Sequence, residues 1–303
     1  MSQALRVGVV GAGVFGGYHA SKYAAMPGVT LAGVFDPHPE RAGALAAAHG
    51  GAAFASLEAL TDACDVVSVA SPASAHAKAV LAALRAGRHV YVEKPLATDL
   101  ADADAILGEA SRRGRVVACG FLERAMFRDM ELFAIRERPL RIEAVRLGLP
   151  SPRNLDVSVA LDLMIHDLDL ALAITDAEPL AVEAEGRTLV NDRLDEVEAE
   201  VNFDDGYVAV LKASRVAPER ERRMTLVYPS GEVSIDFVAR TFVNTTGHPL
   251  TPAFRDPAAD PLGESLAAFV AAVRGEAASP LANGLDGAKA LDLALAVEQA
   301  VGR

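Results

Sequence analysis

The chain has 303 residues, enough for two domains with a core each, and 51% of them are hydrophobic, the share of a well-packed soluble globule. A formal net charge of −12 argues against nucleic acid as a general partner, because counterion release needs a basic face; a phosphate-bearing ligand must meet local cations or helix ends. No run is long and apolar enough to span a bilayer, and Met1-Ser2-Gln3-Ala4 leads directly into a first strand with no room for a secretion signal, so a cytoplasmic protein without membrane partners is expected.

Leu5 to Val10 is a short apolar, β-branched run that reads as a strand. It stops at Gly11-Ala12-Gly13-Val14-Phe15-Gly16, and Gly17 to Met26 reads as a helix. A second apolar run, Val29 to Phe35, ends on Asp36. Strand, glycine turn, helix, strand and acid follow one another in the order of a dinucleotide-binding unit. Gly11 permits the tight turn, Gly13 lets backbone approach a pyrophosphate, and Gly16 lets the helix lie against the strand. The N–H groups opening that helix, from Val14 and Phe15 on, attract the phosphates. Asp36 accepts from a ribose diol and repels a 2′-phosphate, which favours NAD over NADP. Arg41 keeps NADP open as the lesser alternative.

Alternating signals continue. Asp36 to Pro39 is a turn, Glu40 to His49 an alanine-rich helix, Ala52 to Ala55 a short strand, and Ser56 an N-cap for the helix starting at Leu57. Strands are expected over 65–70, 88–92 and 115–119, separated by helices over 75–86 and from Asp99 or Asp102 to about Gly114. Strands parted by such helices make an α/β domain over residues 1–120, a Rossmann-type doubly wound parallel sheet. After Gly120 the grammar changes. A helix over 128–137, a strand near 141–147 and a helix over 158–175 precede successive strands at 180–189, 197–203, 207–213, 223–228 and 232–237. Asp204-Asp205-Gly206 and Pro229-Ser230-Gly231 are hairpin turns. Helices over 264–274 and 285–301 close the chain. Residues 121–303 thus read as an α+β domain with a mostly antiparallel, mixed sheet.

Four further groups of residues can carry chemistry. Ser71-Pro72-Ala73-Ser74-Ala75-His76 follows a strand at its carboxyl end, where open α/β sheets bind ligands; it can line the nicotinamide side of a cleft, or Ser74 can cap the next helix with His76 on its surface. Glu93-Lys94-Pro95 ends the next strand, and an ammonium there can hydrogen-bond a substrate hydroxyl. Asp162, His166 and Asp169 fall at i, i+4 and i+7 of a helix, where a neutral imidazole can take an alcohol proton and a carboxylate one turn away can orient it. Arg124, in Gly120-Phe121-Leu122-Glu123-Arg124, and Arg153 can position a sugar or phosphate or can form interdomain ion pairs. Cys64 and Cys119 have neither metal-ligand spacing nor a CxxC pattern; buried reduced thiols and no metal site are expected.

Taken in order, GAGVFGGYHA, VFDP, SPASAH, EKP, GFLER and DLMIHDLD, with the closing helices, resemble the glucose–fructose oxidoreductase / inositol dehydrogenase (Gfo/Idh/MocA) family over nearly the whole chain. The resemblance implies an NAD(P)-dependent oxidoreductase acting on a CH–OH group of a sugar, polyol or nucleotide-activated sugar. Lys94, Asp162 and His166 would stand at the family's lysine, aspartate and histidine, and a homodimer or homotetramer would form through the exposed face of the second sheet. GFLER and DLMIHDLD are most similar to the branch that oxidises UDP-N-acetylglucosamine to its 3-keto form. The alternatives are a free-sugar or inositol dehydrogenase, a keto-sugar reductase, and an NAD-binding sensor without turnover.

Overall fold

The computed structural model describes residues 4–151, 155–175, 177–252, 254, 259–277, 279 and 281–302. The chain divides into two compact units, Met1–Phe121 with Leu262–Ala288, and Leu122–Pro261 with Lys289–Arg303.

In the first unit β1 (Leu5–Val10), β2 (Val29–Phe35), β3 (Ala52–Ala53), β4 (Val66–Val69), β5 (His89–Val92) and β6 (Val117–Cys119) form one sheet in the order β3-β2-β1-β4-β5-β6. Every adjacent pair is parallel. All four residues of β4 are buried, as expected for a strand covered on both faces. The intervening helices are α1 (Val14–Ala25), α2 (Pro39–His49), α3 (Leu57–Ala63), α4 (His76–Arg85) and α5 (Leu100–Arg113). Ser56 caps α3 through the Ala59 N–H at 3.1 Å, and Asp99 caps α5 through the Asp102 N–H at 2.8 Å. The strand order reverses between β1 and β4, which opens a crevice at their carboxyl ends.

The second unit holds α6 (Glu123–Asp129), β7 (Arg141–Leu147), a π turn (Ala160–Met164) running into α7 (Ile165–Ala173), and then β8 (Pro179–Arg187), β9 (Glu196–Phe203), β10 (Val208–Ser214), β11 (Glu221–Tyr228), β12 (Gly231–Asp236) and β13 (Thr241–Asn244). The sheet order is β13-β12-β11-β7-β10-β9-β8. The β7–β10 pair is parallel and the other pairs antiparallel. Inward residues alternate with outward ones: Ile142 and Ala144, Val201 and Phe203, Met224 and Leu226 are buried. The helix expected over 128–137 is not found. Here α6 begins five residues earlier, and Glu131, at φ +65°, ends helical geometry before a 3₁₀ turn at Leu132–Ala134.

Finally α8 (Pro261–Val273) and α9 (Gly284–Val301) close the chain. Residues from Leu262 to Ala288 belong to the first unit, where the Tyr91 hydroxyl meets Ser265 Oγ at 3.0 Å and the Tyr91 ring packs edge-on to Phe269. The division falls inside α9. Among the described residues no helix is long and apolar enough to cross a membrane. Cys64 and Cys119 are buried, and burial pushes the Cys64 thiol up to about 11.

Candidate active site

The glycine turn of the first unit is set by contacts that admit no Cβ. Gly11 sits at φ +99°, and a Cβ there would lie 2.6 Å from the Ala70 carbonyl oxygen. A Cβ on Gly16 would lie 1.9 Å from the Gly11 carbonyl oxygen, so α1 meets the turn at backbone distance. At Gly13 the Cβ position is open, with nothing within 4 Å. Gly13 is the N-cap of α1, which has no side-chain cap, in contrast to α3 and α5; its first N–H groups are left to a ligand or water. Val14 and Phe15, in the first turn, are exposed.

Asp36 ends β2 with its carboxylate on two backbone donors, Ala12 N–H at 2.7 Å and His38 N–H at 2.8 Å. The acid therefore also braces the glycine turn against the second strand. Arg41 is exposed in the first turn of α2. An uncapped helix start, an open Gly13 and a carboxylate at the end of β2 fit a dinucleotide.

Two loops at strand ends complete this half. Ser71 is partly buried and Pro72 exposed. His76 is buried, neither on the helix surface nor exposed to a ligand: Nδ1 lies 2.7 Å from the Pro95 carbonyl and Nε2 2.9 Å from the Ser71 carbonyl, so the ring ties the two loops together. Burial depresses its pKa, although both carbonyls favour a proton. The Lys94–Pro95 peptide is cis, and Lys94 is partly buried. Beneath it, Glu93 accepts from His19 Nε2 at 2.9 Å, and His19 Nδ1 contacts Ser68 Oγ at 2.7 Å. His19, just beyond the glycine turn in sequence, was not among the expected residues.

In the second unit the residues around His166 come from four elements. His166 Nδ1 lies 2.9 Å from Glu123 Oε2 on α6. Glu123 Oε1 accepts from Arg146 Nη1 on β7 at 3.1 Å and from Arg222 Nη2 on β11. Arg146 and Arg222 are register partners across β7 and β11, two like charges side by side that the shared carboxylate offsets. Arg146 also grips Asp167 with two bonds, 2.9 and 2.7 Å. Burial opposes the charge on Glu123, but His166, Arg222 and Arg146 outweigh it and hold the carboxyl well below the usual range.

This geometry revises the helical reading. Asp162 is buried in the π turn, where i→i+5 bonding widens the spiral, so simple i, i+4 spacing does not describe its relation to His166. Glu123 is a carboxylate bonded to the imidazole, and no local pattern marks it because its partners lie 23 to 99 positions away. Arg124 forms a two-bond ion pair with the buried Asp169, at 2.8 and 2.7 Å. Both partners belong to the second unit, so this is not the interdomain ion pair expected as the alternative for Arg124. Arg153 lies outside the described residues.

A family model described as an oxidoreductase family with an NAD-binding Rossmann fold matches residues 5–121, and the GFO/IDH/MocA C-terminal domain matches residues 151–234. The chain belongs to the GFO/IDH/MocA family. It is an NAD-binding oxidoreductase built on that family's two domains. It is 42% identical over 241 residues to the UDP-N-acetylglucosamine 3-dehydrogenase of Acidithiobacillus ferrooxidans, covering 78% of this chain and 75% of that enzyme. A crystal structure of that dehydrogenase superposes with a TM-score of 0.90 at 37% identity, covering 99% of this chain and 98% of that one. The scyllo-inositol 2-dehydrogenase (NAD(+)) of Bacillus subtilis is a more distant relative, 28% identical over 72% of this chain and 69% of its own length.

Proposed function

We propose that this GFO/IDH/MocA oxidoreductase oxidises a ring hydroxyl of a UDP-linked amino sugar, UDP-N-acetylglucosamine or a close analogue, to the 3-keto form. The observation that carries the reading is an imidazole, His166, with one nitrogen committed to a carboxylate, in a chain 42% identical to an enzyme of that specificity. An ionised carboxylate accepts hydrogen bonds and donates none. Nδ1 therefore carries the ring proton, and the neutral ring has its lone pair at Nε2. His166 takes the hydroxyl proton there, with Asp162 as a second carboxylate on the same segment. Lys94 hydrogen-bonds the hydroxyl oxygen and stabilises the negative charge that develops on it. Gly11, Gly13, Gly16 and Asp36 hold the dinucleotide, and Ser71-Pro72 with Glu93-Lys94 frame its nicotinamide end. Bound NAD supplies the two-electron acceptor, so a secondary alcohol leaves as a ketone with one proton released.

Turnover assays with NAD⁺, followed by NADH absorbance, test this reading. UDP-N-acetylglucosamine is expected to reduce the coenzyme, and His166→Ala is expected to lower kcat by about 10²–10⁴-fold. Turnover of inositols or free sugars alone would replace the substrate assignment, and a fully active His166→Ala would remove the base.

The sheet of the second unit supports a homodimer or homotetramer. On its outward face Val145, Val208, Val210 and Val227 are half-buried around the exposed Arg141 and Glu143 of β7, with Glu200 and Arg223 exposed beside them. A monomer by light scattering would refute this part. The reading also puts the enzyme in the cytoplasm, where reduced thiols persist.

A further inference from the structure

We infer that Glu123 is the positioning residue that fixes the protonation state of His166, and that Arg222 sets how strongly the ring holds a proton by sharing that carboxylate. The inference rests on the reading of His166 as the base.

A carboxylate bonded to an imidazole alone favours the imidazolium, and a base that is already protonated cannot accept the substrate's proton. Charged groups on the His166 segment and on the elements joined to it through Glu123 include Glu123 and Arg124 from α6, Arg146 from β7, Arg222 from β11, and Asp162, Asp167 and Asp169 from its own segment. Arg124 and Asp169 close on each other. Glu123 and Asp167 are then matched by Arg146 and Arg222, and Asp162 is the remaining acid of the set. The carboxylate orients Nδ1–H, while the second guanidinium offsets the field that would otherwise load Nε2 with a proton.

The two arginines differ in what else they do. Arg146 is buried and holds Asp167 with a two-pronged grip, so its removal strands a buried carboxylate. Arg222 has a side chain 31% exposed, bonds Glu123, and lies over the Phe237 ring at 4.7 Å. Arg222 is therefore the cation that can be removed with the least damage to packing, and the one that tunes.

The test uses the full-length protein with NAD⁺ and UDP-N-acetylglucosamine and records the pH profile of kcat/KM. Glu123→Gln is expected to move the acid limb to lower pH and Arg222→Met to higher pH, each by about one unit. In Glu123→Gln, kcat falls while KM changes little, and Glu123→Asp restores part of the rate. Shifts in the same direction, or no shift, overturn the proposal, since a purely structural role lowers activity without moving the two limbs apart. Should Glu123→Gln not fold, Arg222→Met and Arg222→Lys still decide it through the ¹³Cε1 NMR titration of His166 in the NAD-bound protein, assigned with His166→Gln. Arg222→Met is expected to raise the NMR midpoint and Arg222→Lys to leave it nearer wild type; an unmoved midpoint in Arg222→Met overturns the proposal. That titration needs no turnover. A fully active His166→Ala would sink the base assignment while the NMR midpoint still reported on the Glu123–Arg222 coupling.

Discussion

In the first unit the hydrogen bond that closes the glycine turn, Ala12 to Asp36, spans 24 positions; in the second, the bond from Arg222 to Glu123 spans 99. The nucleotide half is one continuous strand–turn–helix–strand segment whose shape is dictated by missing Cβ atoms. The His166 cluster is gathered from α6, β7, α7 and β11 and is held by charge. A segment of the first kind can be recognised from its own residues, because the positive φ at Gly11 and the close approach of Gly16 to the Gly11 carbonyl both lie within it. A cluster of the second kind exists once the sheet register has paired Arg146 with Arg222. The two halves should therefore fail differently.

The largest expected effect is on the charge-held half. Arg146→Met leaves Asp167 without its two-pronged partner and Glu123 with one guanidinium fewer, and removing one partner of a buried ion cluster costs about 3–5 kcal/mol. Urea unfolding of the purified variant measures the loss. A stability within about 1 kcal/mol of wild type would mean the cluster is wet and screened, and the contrast with the first unit would collapse.

The shape-held half should answer to a single methyl group. Gly16→Ala puts a Cβ 1.9 Å from the Gly11 carbonyl oxygen, a backbone atom that cannot swing aside, so α1 must shift. Overpacking of this kind costs about 1–3 kcal/mol, and displacing the turn is expected to weaken NADH binding at least about tenfold. Fluorescence titration with NADH reads it. Unchanged affinity would show that the approach of α1 to Gly11 is not what shapes the phosphate site.

What could be read from the residues follows the same division. The six-stranded parallel sheet, the N-caps at Ser56 and Asp99 and the turn from Gly11 to Asp36 are local patterns, and each is found where its residues place it. His166 was legible as a candidate because an imidazole among aspartates is conspicuous. Its partner was not: Glu123 sits in a stretch that reads as the loop after a strand, and the helix there became visible with the left-handed break at Glu131. The π turn around Asp162 and the return of Leu262–Ala288 to the first unit also escape local reading, since both depend on what the segment packs against. His76 shows the limit within the first unit. Its position next to the Ser71 loop was plain, but its burial between two carbonyls depends on where Pro95 lies.

The smallest effect is a difference in acid response, and it separates the units without changing their packing. Burial holds the His76 pKa below its ordinary 6.5, so the unfolded chain binds a proton there more readily than the folded one; its contribution to stability is present above about pH 6.5 and is lost as the pH falls. Glu123 is likewise depressed, but from an ordinary 4.5, so its contribution persists to that pH and is lost below it. On acidification the first unit is thus expected to weaken before the second, at no more than about 1.4 kcal/mol per pH unit for a single group. Hydrogen exchange followed by mass spectrometry, corrected for the intrinsic pH dependence of exchange, can compare peptides over 66–92 with peptides over 141–147, and His76→Gln should flatten the response of the first set alone. Both His76 nitrogens face carbonyl oxygens, so the opposite result has a definite meaning. If protection of 66–92 rises between about pH 7 and pH 6, the two carbonyls hold an imidazolium despite its burial, and hydrogen bonding has beaten desolvation at that ring.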